Sequence, residues 1–191
     1  MSEGTRPQLL FVCTANISRS PYAELLARYL LGSDSSWTVV SAGVPGTQGR
    51  VMDSQMSSLA QRRGVPAWWC RDHRSQPIDI QLLRRSSVIV TMSKRQRDEV
   101  LDLEPRVHSR LFTCHQVGAA SRLASRSTFT PDINADAAKV LHAYAPVASR
   151  RHDVPDPYLK PWNVADEAAT QIDTHVGTLI TFLKSVCQAA C

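Results

Sequence analysis

The chain has 191 residues, of which 43% are hydrophobic and 20% are charged. This composition is ordinary for one globular domain and excludes collagen-like, long coiled-coil and wholly disordered chains. The net charge is +5, and 18 of the 22 basic residues are arginine. Because arginine binds phosphate and carboxylate groups through paired hydrogen bonds, this bias suits an anionic partner without identifying one.

The sequence gives no sign of a membrane span or a secretory leader. No apolar stretch approaches the roughly 18 residues that a spanning helix needs, and the N-terminal MSEGTRPQ lacks the pattern of a signal peptide. Five cysteines without a CxxC pair argue against a disulfide framework. We therefore expect a cytoplasmic protein that begins with a flexible tail at 1–7.

Short apolar runs alternate with helical patterns along most of the chain. Strands are predicted at 9–12, 37–40, 87–92 and 107–113, and helices at 20–31, 52–63, 94–103 and from Asn163 onward. This alternation predicts a single α/β domain at 8–191, with a parallel sheet covered on both faces. The basic stretch 116–151 fits poorly and is interpreted as an insertion with one helix near 132–144. It lacks interleaved aromatic residues, so we expect no nucleic-acid binding.

The segment 12–21, VCTANISRSP, lies between the first predicted strand and the first predicted helix. Its Cys-x5-Arg spacing alone is weak, because a chain of this composition has roughly an even chance of one such match. A strand-to-helix turn, however, directs successive backbone N–H groups into one anion-binding concavity. Cys13 would be a nucleophile whose thiolate this environment favours, and Arg19 would hold two phosphate oxygens.

A phosphocysteine route also needs an acid that protonates the leaving oxygen. The segment 153–158, DVPDPY, offers Asp156, which has a proline on each side and therefore a stiff backbone. Tyr158 beside it is a candidate for an aromatic wall. Asp153 is the alternative acid.

These two segments resemble the low-molecular-weight protein tyrosine phosphatases, and bacterial members in particular. Weaker agreement comes from SAG at 41–43, HRSQ at 73–76 and VIVTM at 88–92. The resemblance covers roughly 8–116 and 152–186. It implies a Rossmann-like domain of the phosphotyrosine phosphatase I type, with a four-stranded parallel sheet flanked by helices on both faces. It also implies Cys13 as nucleophile, Arg19 as phosphate clamp, and Asp156 as general acid and later base.

The resemblance assigns supporting roles as well. Asn16 would hold the loop open through Ser41 and His73, and Ser20 would hydrogen-bond to the thiolate. Tyr158 and Thr47 would line the substrate slot, with Thr47 in place of an aromatic residue found in many members. The rest of the phosphate-binding loop would comprise Thr14, Ala15, Asn16, Ile17, Ser18 and Ser20.

Three loop positions bear on how closely the family pattern is followed. Ala15 replaces a common glycine, and its methyl group is tolerated only where φ is negative. Ser18 replaces a second cysteine, so the local disulfide that protects the nucleophile in many members is not expected. Ile17 is the bulky residue typical of tyrosine-specific members.

The expected function is hydrolysis of phosphotyrosine in proteins, and of aryl phosphates, without metal or cofactor. Partners would be phosphotyrosine proteins and, by resemblance to bacterial members, a cognate tyrosine kinase. Two alternatives stay open: an arsenate reductase of the same fold that uses an external thiol, and a phospho-ligand binding module without turnover. The Cys114-His115 pair is not expected to bind a metal, because adjacent strand residues point to opposite faces. Cys187 and Cys191 have no histidine nearby in sequence.

Overall fold

The computed structural model describes residues 6–126 and 137–188. Its sheet has four strands in the order β2-β1-β3-β4, and every neighbouring pair is parallel. This confirms the predicted single domain with a four-stranded parallel sheet. The strands are β1 Gln8–Cys13, β2 Thr38–Gly43, β3 Val88–Thr91 and β4 Leu111–Thr113.

The sheet is covered by helices on both faces, as its sequence pattern predicts. Successive strand residues point to opposite faces, so Leu9 and Phe11 enter one apolar core while Leu10 and Val12 enter another. Continuous apolar runs are therefore required, because neither face meets water. The helices in the described part of the chain are α1 Arg19–Leu31, α2 Ser54–Arg62, α3 Ala67–Asp72, α4 Ile80–Arg85, α5 Lys94–Leu103, α6 Cys114–Arg126, α7 Ala137–Tyr144 and α8 Trp162–Gln188.

Side-chain caps fix the starts of two helices that lie near the ends of strands. Asp53 accepts a hydrogen bond from the Met56 N–H at the start of α2, and Ser93 accepts one from the Gln96 N–H at the start of α5. Such caps satisfy backbone donors that have no partner within the helix. Asp53 and Ser93 therefore fix where α2 and α5 begin.

The sequence prediction of a strand at 107–113 is wrong over its first half. Pro105–Arg110 forms a 3-10 helix, and β4 begins only at Leu111. Pro105 favours this turn because its ring fixes a helical φ, and Val107 is then buried in the second core. Cys114 opens α6 instead of ending a strand, so the opposite-faces argument does not apply to it. The last helix begins at Trp162, so Asn163 lies inside it and does not cap it.

The proposed insertion at 116–151 contains more regular structure than the sequence suggested. Val117, Ala120 and Ala124 are buried on α6 in the same core as the α8 side chains Ile172 and Val176. Basic residues are scattered along this stretch, so the apolar face of α6, which has helical period, was not recognised in the sequence. The helix predicted near 132–144 is described from Ala137 onward. Residues 1–5 of the predicted tail, 127–136, and the cysteine pair at 187 and 191 lie outside the described side chains.

The long C-terminal helix α8 raises the question of a membrane span. Of the helices described within 6–126 and 137–188, none is both long and apolar enough to cross a membrane.

Candidate active site

The loop after β1 turns all its peptide carbonyls toward the body of the protein. In a planar trans peptide the C=O group and the following N–H group point in opposite directions. The N–H groups of residues 14–18 therefore point to the other side of the loop, and none of them donates to an acceptor in the described protein. The hydrogen bonds to the carbonyls are Val44 N to Cys13 O (2.8 Å), Gly46 N to Thr14 O (3.0 Å), Thr47 Oγ1 to Ala15 O (2.8 Å), His73 Nε2 to Asn16 O (2.9 Å) and Asp53 N to Ile17 O (2.7 Å).

This loop borders a pocket of about 100 Å³. Five unpaired backbone N–H groups form a nest for an anion, and the start of α1 adds its own donors. The nucleophile candidate Cys13 is buried at the pocket, with 3% of its surface exposed. The pocket is lined by Cys13, Thr14, Ala15, Ile17, Ser18, Arg19, Asp156 and Tyr158.

Arg19 joins the loop to the candidate acid. Its guanidinium is buried, Nη1 donates to the Val154 carbonyl at 3.0 Å, and Nη2 lies 2.9 Å from Asp156 Oδ2. The Asp156 side chain is 54% exposed, so a proton can reach it from solvent. The structure thus brings together the cysteine, arginine and aspartate that the sequence predicted as a catalytic set.

The two candidate acids have different surroundings. Asp153 Oδ1 accepts a hydrogen bond from the Lys94 N–H at the start of α5, at 2.7 Å. The next residue, Val154, donates its N–H to the Met92 carbonyl at the end of β3. Asp153 therefore attaches the segment to the start of α5, while Asp156 lines the pocket.

Asn16 connects the loop to its surroundings and to the cysteine. Its Nδ2 donates to Ser20 Oγ at 3.0 Å and to Ser41 Oγ at 2.7 Å, while its Oδ1 accepts from the Gln76 N–H at 3.0 Å. Ser20 in turn donates to Cys13 Sγ at 3.1 Å. Asn16 is fully buried and has a φ of 58°, a left-handed conformation that asparagine tolerates better than most residues.

His73 supports the loop through the backbone. The sequence interpretation connected it to the Asn16 side chain, but its Nε2 contacts the Asn16 carbonyl. Burial is the main cause that lowers the pKa of His73, and neighbouring Arg74 lowers it further. A neutral ring with its proton on Nε2 donates this hydrogen bond.

Thr47 differs from its predicted place in the substrate wall. Its hydroxyl donates to the Ala15 carbonyl and contacts Ser75 Oγ at 3.2 Å. A short side chain at this position can reach back to the loop, which an aromatic ring cannot do. Tyr158 does line the pocket, and its hydroxyl accepts a hydrogen bond from Arg50 Nη2 at 3.1 Å.

Ala15 and Ser18, which differ from the common family residues at their positions in the loop, each have a local structural consequence. Among the described non-glycine residues, Asn16 and Leu159 alone have positive φ, so the methyl group of Ala15 meets no backbone strain. Ser18 places a buried hydroxyl without a hydrogen-bond partner at the pocket.

Sequence reasoning missed several residues that hold the site. Gln96 donates from Nε2 to Thr14 Oγ1 at 3.0 Å, and Glu24 accepts from Ser41 Oγ at 2.6 Å. Gln96 and Glu24 are both distant in sequence from the residues that they contact, so no sequence motif predicted these hydrogen bonds. Gly43 was visible as a glycine after a predicted strand. A Cβ there would lie 2.7 Å from the Thr14 carbonyl oxygen, so only glycine allows the loop to pack so closely.

Within 6–126 and 137–188, no group of three His, Cys, Asp or Glu side chains is arranged to hold a metal ion. The described cysteines are free, and of these Cys13 alone lines the pocket.

The family model of low molecular weight phosphotyrosine protein phosphatases matches residues 8–126. Together with the fold and the cysteine loop, this match shows that the chain belongs to that family. The protein-tyrosine-phosphatase Wzb of Salmonella typhi is 32% identical over 106 residues, which are 55% of this chain and 66% of that protein. The alignment thus spans just under two thirds of that relative.

Two further similarities extend over nearly the whole chain. The probable protein-tyrosine-phosphatase EpsP of Ralstonia nicotianae is 24% identical over 93% of this chain and 97% of its own length. The solved structure of the YwlE arginine phosphatase from Geobacillus stearothermophilus superposes with a TM-score of 0.68, covering 94% of each chain at 21% identity. At that identity the structural likeness shows the fold alone.

Proposed function

We propose that the protein hydrolyses phosphotyrosine in proteins, and small aryl phosphates, through a phosphocysteine at Cys13. The hydrogen bonding of the loop is the observation that carries this proposal. Five successive carbonyls accept hydrogen bonds, and five successive N–H groups have no acceptor in the described protein and lie beside a buried cysteine. Family membership and the tyrosine-phosphatase names of two relatives support it.

In the first step the Cys13 thiolate attacks phosphorus and the ester P–O bond breaks. Asp156, in its protonated form, gives its proton to the leaving phenolic oxygen. The N–H groups of the loop and the Arg19 guanidinium bind the non-bridging phosphoryl oxygens, where charge must be held during transfer. The product alcohol leaves, and the phosphoryl group stays on sulfur.

In the second step water attacks the phosphorus of the phosphocysteine. The Asp156 carboxylate accepts a proton from this water, and the S–P bond breaks with its electrons returning to Cys13. Inorganic phosphate is released and the thiolate is restored. The hydrogen bond from Ser20 to Cys13 Sγ supports sulfur as a leaving group because it stabilises the thiolate.

The pocket lining favours an aryl ester. Ile17 and Tyr158 supply apolar and aromatic surface at the mouth of the phosphate nest, against which a phenol ring can pack. The fold is shared with an arginine phosphatase, so phosphoarginine is the substrate to compare. The cognate kinase and the cytoplasmic location expected from the sequence stay predictions.

The first test is hydrolysis of an aryl phosphate across pH in the presence of a chelator. Wild type should turn over without metal, and Cys13→Ser should abolish turnover because oxygen at this position is a poor nucleophile and leaving group. Asp156→Asn should lower kcat by about 10²–10⁴-fold, the usual contribution of general acid–base catalysis, because hydrolysis of the phosphocysteine loses its base. Asp153→Asn is the matched control and should lower kcat less than tenfold.

Parallel assays separate the alternatives. Phosphotyrosine peptides should be hydrolysed with higher kcat/KM than phosphoarginine. Arsenate-dependent consumption of an external thiol would indicate the reductase instead. Tight binding of a phosphopeptide that is never hydrolysed would indicate a binding module and contradict the proposed enzyme.

A further inference from the structure

A line of hydrogen bonds leads from the nucleophile to a carboxylate on the far side of the loop. Ser20 Oγ donates to Cys13 Sγ at 3.1 Å, and Asn16 Nδ2 donates to Ser20 Oγ at 3.0 Å. The same Nδ2 donates to Ser41 Oγ at 2.7 Å. Ser41 donates its proton to Glu24 Oε2 at 2.6 Å, so the line ends at a carboxylate.

The Glu24 carboxylate and the Gln76 N–H determine the direction of the bonds that Ser41 and Asn16 make. A serine hydroxyl has one proton, and the Ser41 proton goes to Glu24, which leaves its oxygen to accept from Asn16. The Asn16 amide cannot turn over, because its Oδ1 already accepts the Gln76 N–H. The second amide proton then points to the Ser20 oxygen. The Ser20 hydroxyl has two acceptors within reach, and Cys13 Sγ at 3.1 Å is closer than the Ala42 carbonyl at 3.4 Å.

Glu24 lies outside the pocket that takes the phosphate. Its side chain is 14% exposed and borders a separate cavity of about 360 Å³, which Trp68, Trp69 and Gln76 also line. Arg28 Nη1 lies 3.5 Å from Glu24 Oε1, and Asp72, His73 and Arg74 are the other charged or titratable groups at this cavity. Any effect of Glu24 on catalysis must therefore act through the loop.

We infer that Glu24 is a positioning residue, which orients the Ser20 hydroxyl toward the Cys13 thiolate through Ser41 and Asn16. The inference extends the proposed phosphatase mechanism, but it concerns the reactivity of Cys13 itself. Burial raises the pKa of Glu24, and the hydrogen bond from Ser41 and the nearby Arg28 oppose that rise. Ser41 and Arg28 thus favour the ionised form of Glu24, and the Glu24 carboxylate in turn orients the Ser41 hydroxyl.

Alkylation of Cys13 by iodoacetamide tests this role without phosphatase turnover. Because Cys70 and Cys114 are also free, mass spectrometry is used to follow the peptide that contains Cys13. Glu24→Ala removes the acceptor of the Ser41 proton, and Glu24→Gln leaves only an uncharged and weaker one. Both should raise the pH midpoint of Cys13 alkylation, Glu24→Ala by about half a pH unit or more, since a thiolate that loses an aligned donor is less stable. A direct charge effect would lower the midpoint, because removal of a nearby negative charge favours the thiolate.

A double-mutant cycle with Ser41→Ala separates orientation from a general structural role. Ser41→Ala alone should raise the midpoint, and Glu24→Gln should add no further rise in that background. In wild-type background Glu24→Gln should also lower kcat about threefold to tenfold, with KM changed less than twofold. Glu104→Gln is the control: this buried glutamate pairs with Arg84 and makes no contact with the loop.

Additive effects of Glu24→Gln and Ser41→Ala, or a midpoint in Glu24→Gln that equals or lies below the wild-type one, would overturn the inference. Thermal unfolding of each variant shows whether it is folded. Glu24→Gln keeps the side-chain shape, so it serves if Glu24→Ala does not fold. An inactive wild type with the expected alkylation midpoints would refute the proposed function while retaining the positioning role.

Discussion

Asn16 is the residue on which the geometry of the loop depends most. Its backbone adopts a left-handed φ of 58°, its carbonyl meets His73, and its amide connects Ser20, Ser41 and Gln76. A glycine in place of Asn16 would adopt this left-handed backbone without strain, but it would lose the three side-chain hydrogen bonds. Alanine would lose the same hydrogen bonds and would also strain the backbone.

Two substitutions separate the two roles of Asn16. Both Asn16→Gly and Asn16→Ala should lower kcat/KM for an aryl phosphate by about tenfold or more, because the loop loses buried hydrogen bonds. Asn16→Ala should be less stable than Asn16→Gly by about 1 kcal/mol, which reverses the usual order of these residues. Urea unfolding measures the difference. If the alanine variant were the more stable, the loop would not require a left-handed residue.

At this scale the sequence predicted which residues line the pocket better than which residues support the loop. Cys13, Arg19 and Asp156 are recognisable because the chemistry requires those residue types. The hydrogen bonds from Thr47 to Ala15 and from Ser41 to Glu24 were missed because a hydrogen bond between segments far apart in sequence leaves no periodic pattern. Only the packed structure shows which hydroxyl meets which carbonyl.

The helices differ in how strongly their sequences specify them. The bounds of α1 and α5 and the start of α8 were predicted within one residue. Proline or glycine marks the ends of α1 and α5, and α8 carries an apolar face with helical period. The short helices α3 and α4 span six residues each, too few for such a period to appear. The 3-10 turn before β4 was predicted as part of the strand because Val107 and Leu111 are apolar, and the polar residues between them fit either structure.

The contact between α6 and α8 gives a test of element packing. A Cβ at Gly118 on α6 would lie 2.9 Å from the His175 Cα on α8, whereas one at Gly177 would meet no atom within 4 Å. Gly177→Ala should raise the free energy of unfolding by about 0.5–1 kcal/mol through helix propensity. Gly118→Ala should lower it by about 1–3 kcal/mol, because the two helices must move apart.

Urea unfolding of the two variants side by side provides the comparison. Each change adds one methyl group to a helical glycine, so propensity alone predicts the same gain for both. Equal stabilisation of the two variants would contradict the close approach of α6 and α8.

The whole molecule brings Cys13 and Asp156 together at the carboxyl edge of the sheet. Cys13 ends β1, and the acid segment is attached through Val154 to the Met92 carbonyl just past β3. Because β1 and β3 are neighbours, the two chemical groups meet although they are far apart in sequence. The rule that ligands bind at the carboxyl ends of parallel strands predicts this edge for the site. It does not predict that Arg19 would bind both Val154 and Asp156.

The central claim is that Cys13 carries the phosphoryl group during turnover. The most direct measurement is mass spectrometry of Asp156→Ala after brief reaction with an aryl phosphate and an acid quench. An aryl leaving group needs little acid assistance, while hydrolysis of the intermediate is slowed by loss of the base. The account predicts one phosphoryl group on the peptide that contains Cys13, and none in the Cys13→Ser, Asp156→Ala double variant. Turnover by wild type without a phosphoryl group on Cys13 in the trapping variant would contradict it.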